Sequence, residues 1–267
     1  MAKIGLVAGA GDMPVEFASS AKRSGDKVIV FAVEGISDKR LEEIAEKIYW
    51  LRLTQYRKLF VLLVTNGIRR LVLLGKFEKK IIYEKGRPRA QHSRQLTRLK
   101  DGKDYSILGE ITRRLALIGV KVTDGLDHLG HLLVPRGVLT STVPSETAEK
   151  DISYGYSVAK TLADMDIGQT VVVKNKTVVA VEAMEGTDKV IERAAAIAGE
   201  GCVMVKVSRP GQDMRWDVPV VGPDTVKKLT EGKFSALAIQ SGKMFIINRQ
   251  ETVKIADASA LAIKGLV

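Results

Sequence analysis

Residues 4–14 read IGLVAGAGDMP, and this stretch decides the fold of the first half of the chain. It joins a short apolar strand, which ends at Ala8, to a glycine-rich turn that opens a helix over residues 14–24. Pro14 suits the first turn of that helix, where its missing N–H costs no hydrogen bond. A second apolar run follows at 27–33. A strand, a helix and a second strand in this order predict a parallel βαβ unit.

The same alternation continues through the first half of the chain. It predicts an N-terminal, mostly parallel, Rossmann-like α/β domain over residues 1–133. The stretch 124–142 is rich in glycine and loop residues, and it predicts the junction between two domains. Further helices are predicted at 39–47, 56–66, 91–100 and 105–118, and further strands at 48–51, 71–74 and 120–123.

The second half, residues 134–267, predicts a mixed α+β domain that carries the main acidic motifs, with a substrate cleft between the two domains. Asn175-Lys176 separates two apolar strands and is short enough for a hairpin, because Asn tolerates the positive φ that such turns need. A second hairpin is predicted over Ser241-Gly242. The elements predicted here are helices at 145–163 and 187–198 and strands at 170–174, 177–181 and 202–207.

The composition is that of an ordinary globular protein of about two domains, with 267 residues of which 45% are hydrophobic and 27% charged. The one cysteine, Cys202, excludes a disulfide within the chain. The N-terminus has no signal-peptide layout, and no stretch approaches the roughly 18 apolar residues of a membrane span. We therefore expect a cytoplasmic protein.

Positive charge is concentrated between Arg69 and Lys103. This basic segment holds twelve Lys or Arg against three acids, which gives it +9 of the chain's net +11. Such an excess attracts nucleic acid, anionic lipid surfaces or phosphorylated substrates. Phe77 and Tyr83 are its only aromatic residues, a thin supply for base stacking. A phosphate-rich small substrate or an anionic membrane surface fits better than nucleic acid, and a solvated helix face is the remaining alternative.

The glycine-rich turn has two interpretations. Backbone amides at a turn that opens a helix can hold a phosphate, helped by the helix N-terminus. The dinucleotide fingerprint G-x-G-x-x-G does not fit, because Pro14 stands where the third glycine belongs. No G-K-[ST] follows, so the turn is not a Walker loop either. A phosphate-facing loop and a tight structural turn both stay open.

A second polar pattern occurs at residues 213–217, where charged and apolar residues alternate. If this run is extended, Asp213, Arg215 and Asp217 share one face, because side chains alternate with a period of two. Two carboxylates and a guanidinium suit a magnesium ion and a phosphate group. The alternative is a surface strand with an internal Asp-Arg-Asp ion pair.

Five segments of the chain, in order and spacing, resemble the LpxI-type UDP-2,3-diacylglucosamine pyrophosphatases. The likeness covers nearly the whole chain, and the motifs are specific together although each is weak alone. Met13 and Trp216 depart from the residues usual in that family, and neither departure changes a charged position. The segments are GAGDMP at 9–14, GK at 75–76, DIGQTVVV at 166–173, AVEAMEGTD at 180–188 and GQDMRWDVP at 211–219.

The resemblance implies an enzyme that hydrolyses UDP-2,3-diacylglucosamine to 2,3-diacylglucosamine 1-phosphate (lipid X) and UMP in lipid A biosynthesis, by magnesium-assisted attack of water on the α-phosphorus. It implies Asp213 and Asp217 as Mg²⁺ ligands or base, with Asp188 and Arg215 as further catalytic residues. Asp188 has an alternative role as a plain acid at a helix N-terminus. The substrate-binding residues implied are Gly9, Gly11, Asp12, Pro14, Lys76, Gln169, Glu185, Gly186, Thr187 and Gln212.

The resemblance also implies a homodimer that works at the anionic surface of the inner membrane, peripherally, with no nucleic-acid partner. Two other classes of function remain as alternatives. The first is a nucleotide-sugar or lipid-phosphate binding protein without turnover, which would not need water-activating acids. The second is nucleic-acid binding by the basic segment.

Overall fold

The computed structural model describes residues 1–52, 54–76, 104–215 and 218–267. The chain forms two units, each with its own sheet. The first unit comprises Met1–Gly130 together with Asp213–Trp216, and the second comprises His131–Gln212 together with Asp217–Val267. Nothing in the sequence pattern indicated that the segment beginning at Asp213 groups with the first unit.

The first unit is built on a five-stranded parallel sheet, which confirms the predicted α/β class. Its strand order is β3-β2-β1-β4-β5, so the chain reverses direction across the sheet between β1 and β4. In open α/β sheets ligands bind at the carboxyl ends of the strands at such a point. The strands are β1 (Lys3–Ala8), β2 (Lys27–Val33), β3 (Lys47–Leu51), β4 (Arg70–Leu74) and β5 (Lys121–Thr123); the described helices are α1 (Met13–Arg23), α2 (Leu41–Ile44), α3 (Tyr56–Thr65), α4 (Asp104–Leu117) and α5 (Leu126–Leu129).

Apolar runs form this sheet because both of its faces are covered. β2 is buried from Val28 to Val33, as expected for a strand in a parallel sheet with helices on both sides. Leu63 of α3 and Leu115 of α4 pack in one core cluster with Phe31 and Leu71 of the strands. Burying a side chain of this size contributes about 1.5–3 kcal/mol.

Three predictions for the first half need comment. The helix expected at 39–47 is wrong over most of its length, because only α2 is helical and the Glu46 N–H already bonds to Val28 O of the sheet. The stretch 124–142 contains α5 and a 3₁₀ turn at Gly130–Leu132 as well as loops. The helix expected at 91–100 lies outside the described residues.

The second unit has a mixed six-stranded sheet, in the order β6-β13-β11-β9-β7-β8. Its centre, β9-β11-β13, is parallel, and β6, β7 and β8 pair antiparallel. The mixed class is confirmed. The strands are β6 (Gly137–Val138), β7 (Thr170–Lys174), β8 (Thr177–Val181), β9 (Val203–Lys206), β10 (Val220–Val221), β11 (Ala236–Gln240), β12 (Phe245–Ile246) and β13 (Ala262–Leu266); the helices are α6 (Glu146–Asp164), α7 (Thr187–Ala198), α8 (Pro223–Glu231) and α9 (Arg249–Ala258).

The two predicted hairpins have opposite outcomes. The one at Asn175-Lys176 is confirmed, since β7 and β8 pair across it. The one at Ser241-Gly242 is wrong, because β11 joins the large sheet whereas β12 pairs with β10 in a separate two-stranded sheet. The N–H groups of that turn donate to carbonyls distant in sequence, Ser241 to Leu266 O and Gly242 to Val134 O.

Helix α6 begins where the sequence predicts it. The Ser145 hydroxyl accepts a hydrogen bond from the Ala148 N–H at 3.2 Å, a side-chain cap that typically contributes about 1 kcal/mol. No helix of the described residues has the length and apolar character needed to cross a membrane.

Candidate active site

Two turns at the carboxyl ends of β1 and β4 are joined by backbone hydrogen bonds. Gly9 donates to Leu74 O at 2.7 Å, and Ala10 and Lys76 exchange a pair of hydrogen bonds at 2.9 Å. We call residues 9–14 with 75–76 the glycine turn. The fold thus brings together five of the predicted substrate-binding residues, which are Gly9, Gly11, Asp12, Pro14 and Lys76.

The glycine turn depends on a close approach that only glycine permits. Gly75 has φ +96°, and a Cβ built there would lie 2.7 Å from the Gly9 carbonyl carbon and 2.8 Å from Ala10 O. Gly11 also has a positive φ, +95°, but it stands in open space. The amides of Gly9 and Ala10 are used within the turn, so the start of α1 is the part suited to a phosphate.

Asp12 and Lys76 carry the charges of the glycine turn. The Asp12 carboxylate accepts a hydrogen bond from Arg40 Nη2 at 2.6 Å and does not cap α1. Lys76 is exposed. Pro14 is buried at the start of α1, so it shapes the turn rather than offering a group to a ligand.

The run 213–217 is not an extended strand, and that prediction is wrong for the residues described. Asp213 accepts hydrogen bonds from Arg215 at three positions: the backbone N–H at 3.0 Å, Nε at 2.8 Å and Nη2 at 2.5 Å. An Asp side chain that binds the amide two residues on closes an Asx turn, which competes with a strand. Trp216 and Asp217 lie outside the described residues, so the face shared with Asp217 remains a prediction.

The Asp213–Arg215 pair fixes the charge of both groups. The hydrogen bonds from Arg215 hold the pKa of Asp213 below its ordinary value, so this carboxylate is ionised at neutral pH. Asp213 in turn raises the pKa of Arg215, with a smaller contribution from the charge of Asp124.

Magnesium was expected at Asp213 and Asp217. Within the described ranges, which exclude Asp217, no group of three or more His, Cys, Asp or Glu is arranged to hold a metal. Asp213 fits one part of such a site, because it is an ionised oxygen donor and hard cations prefer carboxylate oxygens. Oδ1 accepts from the Arg215 backbone N–H and Nε, and Oδ2 accepts from Nε and Nη2, so a cation at Asp213 would have to replace some of these hydrogen bonds.

A second polar cluster lies in the second unit, at the carboxyl end of β9. Lys206 Nζ donates to Thr187 Oγ1 at 2.6 Å and to Thr170 Oγ1 at 3.1 Å. Thr187 Oγ1 donates to Glu182 Oε1 at 2.7 Å, and Lys206 Nζ lies 3.8 Å from Glu182 Oε2. We call Thr170, Glu182, Thr187 and Lys206 the Lys206 cluster. The side chains of its ion pair are 9% and 13% exposed, so the pair is shielded from water.

The Lys206 cluster keeps Glu182 ionised although its side chain is only 13% exposed. Burial by itself raises the pKa of Glu182, but the charge of Lys206 outweighs it, together with hydrogen bonds from Thr170, Thr187 and the Gln169 N–H. The net result is a pKa below the ordinary value. The cluster is therefore a buried ion pair at neutral pH.

Several predicted site residues surround this cluster. Gly186 and Thr187 form the start of α7, and no side chain caps that helix end. Glu185 accepts hydrogen bonds from the Ala183 N–H and from Arg193, and Asp188 is 60% exposed with Lys228 at 3.4 Å. Both acids thus have local partners, and the position of Asp188 matches its alternative role as an acid in the first turn of a helix.

Three buried polar atoms of the second unit have no hydrogen-bond partner among the described residues: Gln169 Oε1, Arg209 Nε and Gln212 Nε2. The Arg209 N–H donates to Gln212 Oε1 at 2.9 Å, and Arg209 Nη1 lies 3.3 Å from Asp166. Buried polar atoms are normally paired, so these three are candidate contacts for a ligand. Gln169 and Gln212 were predicted as binding residues; Arg209 was not.

Sequence reasoning also did not name Thr170, Glu182 and Lys206 as site residues. Two signals were present: Thr170 and Glu182 lie in the segments 166–173 and 180–188 that carry the family resemblance, and Lys206 interrupts the apolar run 202–207. A lysine inside a buried strand needs a partner, but nothing in the sequence says that the partner comes from residues 182 and 187.

Two α/β units, a glycine turn at the point where strand order reverses, and a polar cluster at the end of a parallel strand place the chain among two-domain α/β proteins. The comparisons with known proteins are more specific. The chain belongs to the LpxI family: the model of the LpxI N-terminal domain matches residues 3–132, and that of the LpxI C-terminal domain matches residues 135–264. The family predicted from the sequence is confirmed.

One curated relative is the UDP-2,3-diacylglucosamine pyrophosphatase LpxI of Caulobacter vibrioides. It is 27% identical over 278 residues, which cover 100% of this chain and 98% of the relative. A solved structure, glycinamide-RNase-transformylase T from Mycobacterium tuberculosis, matches 68% of this chain and 44% of its own at 18% identity and a TM-score of 0.25. That likeness is too low to bear on fold or function.

Proposed function

We propose that this chain is a hydrolase of lipid A biosynthesis that cleaves UDP-2,3-diacylglucosamine into 2,3-diacylglucosamine 1-phosphate and UMP. The observation that carries the proposal is the extent of the likeness. A pyrophosphatase of that name aligns with the whole chain, and both domains of its family are matched. The alignment covers 98% of that relative, so the likeness extends over both domains.

The substrate's diphosphate repels an attacking water, so the site must supply positive charge and orientation. Arg215 offers a guanidinium that Asp213 holds in place, and preorganised charges of this kind stabilise a transition state without having to reorient. Lys76 adds an exposed ammonium beside the glycine turn. We assign attack to the α-phosphorus, so the oxygen of the attacking water enters UMP.

We also propose Mg²⁺ as the cofactor, held by Asp213 and Asp217. When bound, magnesium supplies charge neutralisation and Lewis acidity at the diphosphate. The support from this chain is the ionised carboxylate of Asp213 and the donor set of residues 211–219, which holds two aspartates and neither cysteine nor histidine.

The first test is release of UMP by the pure protein from UDP-2,3-diacylglucosamine in heavy-oxygen water. We expect UMP to carry the label, excess chelator to stop its release and added magnesium to restore it. Label in the lipid phosphate would place the attack on the other phosphorus. Binding of the substrate without any UMP would instead identify a binding protein without turnover.

Variants then test the acids. Asp213→Ala and Asp217→Ala should each lower turnover by about 100-fold or more, the usual cost of removing one electrostatic contact to the transition state. Asp224→Ala is the matched control, because Asp224 is 98% exposed and its ion pair with Lys227 is weak, at 4.0 Å. Near-normal rates for both site variants, with the control unchanged, would move the active site elsewhere.

We extend the proposal to a homodimer acting peripherally at the anionic inner membrane. A substrate with two acyl chains resides in a bilayer, and the basic segment 69–103 carries +9; each cation near an anionic surface contributes about 1 kcal/mol. Of that segment only residues 69–76 lie within the described part of the chain. Flotation with anionic vesicles tests membrane binding, and the mass from light scattering tests the homodimer. A protein that does not float with the vesicles would contradict the first statement, and a monomeric mass would contradict the second.

A further inference from the structure

Buried charge is rare among the described residues. Apart from His128, only Asp151 and Lys206 are buried charged residues in the structure. Asp151 has a clear structural role, because its carboxylate accepts the Asn175 N–H at 2.9 Å and the Lys176 N–H at 2.6 Å and so holds the turn between β7 and β8. Lys206 holds no turn. Its bonds go instead to side chains that border predicted substrate-binding residues.

The Lys206 cluster ties together four separate segments of the second unit. Thr170 begins β7 and follows Gln169, Glu182 follows β8, Thr187 begins α7 and Lys206 ends β9. The Thr187 hydroxyl donates its one proton to Glu182 and accepts from Lys206. With both directions of hydrogen bonding used, its rotamer is fixed.

Stability alone does not explain this arrangement. Replacing a buried ion pair by apolar groups of similar volume is often neutral or stabilising, because desolvation of the two charges offsets their attraction. The neighbours of Lys206 along β9, Met204 and Val205, are fully buried and apolar. An apolar side chain at 206 would continue that pattern. What the ion pair provides beyond burial is a fixed orientation for the groups that it bonds.

We propose that Lys206 is a positioning residue for the substrate. It sets the first turn of α7 through Thr187, and through its hydrogen bond to Thr170 Oγ1 it sets the segment that carries Gln169. The inference rests on the proposed function in so far as Thr187 and Gln169 bind the substrate. Lys206 itself acts only through these neighbours.

The test uses a neutral pair, Lys206→Met together with Glu182→Gln, because Lys206→Met alone would leave Glu182 buried and unpaired. We expect the double variant to keep its thermal midpoint while kcat falls by about 10- to 100-fold, since small misplacements of positioning groups have effects of that size. A rise in KM with kcat unchanged would mean lost binding without misorientation and would overturn the proposal, as would wild-type kinetics.

Lys174→Met is the matched control. Lys174 Nζ donates to Ala198 O at 2.7 Å, so it bonds the opposite end of the same helix, α7. Its removal perturbs the helix without touching the first turn, and we expect normal kcat and KM. A loss of kcat equal to that of the double variant would show that any disturbance of α7 suffices, and would overturn a special role for Lys206.

A readout without turnover separates this proposal from the proposed function. Amide hydrogen exchange at residues 190–192, whose N–H groups close the first turn of α7, should speed up in the double variant, with no change at the Ala198 end of α7. If the wild type releases no UMP, the proposed function has failed, and exchange then judges the positioning role alone. Faster exchange in the first turn supports it, and unchanged exchange contradicts it.

Discussion

The glycine turn of the first unit and the Lys206 cluster of the second are held together by different kinds of hydrogen bond. The first is made of backbone: two neighbouring turns whose amides and carbonyls bond to each other, with Gly75 allowing the close approach. The second is made of side chains from four segments, between residues 170 and 206. The glycine turn has no room for a Cβ at Gly75, whereas the Lys206 cluster depends on the pairing of its two charges.

The largest effect that this difference predicts is for Lys206→Met alone. It leaves Glu182 as a buried carboxylate without its counter-ion, and breaking one side of a buried pair costs about 3–5 kcal/mol. The loss in the free energy of unfolding can be measured by denaturant titration. If the single variant is as stable as the neutral double variant, the ion pair is not as shielded as its geometry indicates.

The next effect is for Gly75→Ala in the first unit. Its Cβ would meet backbone atoms at 2.7–2.8 Å, and its φ of +96° is unfavourable for alanine, so we expect a loss of about 2–4 kcal/mol. Gly11→Ala separates the two causes, because Gly11 shares the positive φ in open space. It should lose only about 1 kcal/mol. Equal losses would mean that conformation, rather than close approach, limits the turn.

The smallest effect concerns pH. The pKa of Glu182 is lowered below its ordinary value of 4.5, so its contribution to stability is present above that value and is lost as the pH falls through the lowered pKa. Thermal midpoints taken downward from pH 6 should therefore fall more steeply for the wild type than for the neutral double variant. Gly75→Ala should shift the midpoint equally at every pH, since it removes no titrating group. Parallel curves for all three proteins would contradict the assignment.

The same contrast explains how much could be predicted from the sequence. Each of the two pieces of the glycine turn directly follows a strand of the parallel sheet, β1 for residues 9–14 and β4 for residues 75–76. Strand-helix alternation therefore places both pieces at the carboxyl edge of the sheet, so local pattern is enough to predict its residues. The Lys206 cluster has no such signature, because Glu182 and Lys206 become neighbours only when β7, β8 and β9 pair in the sheet. Long-range pairing is not encoded in local spacing.

Two of the wrong predictions are explained by hydrogen bonds that the sequence pattern does not show. The alternation at 213–217 resembles a strand, but the Asp213 side chain bonds the Arg215 N–H and closes a turn. The Ser241-Gly242 turn resembles a hairpin loop, but its amides bond to Leu266 and Val134. In the first case a neighbouring residue provides the competing hydrogen bond, and in the second case two distant residues provide it.

The turn between β7 and β8 has a consequence for the order in which the second unit assembles. Asn175 and Lys176 have φ of 52° and 57°, a conformation that costs an ordinary residue such as Lys176 roughly 1–2 kcal/mol. The group that bonds their amides, Asp151, lies on α6, 24 and 25 residues earlier in the chain. The strain is local and its compensation is distant, so the hairpin gains little by closing early. We expect α6 to dock before the hairpin closes, which makes this short-range turn a late event in folding.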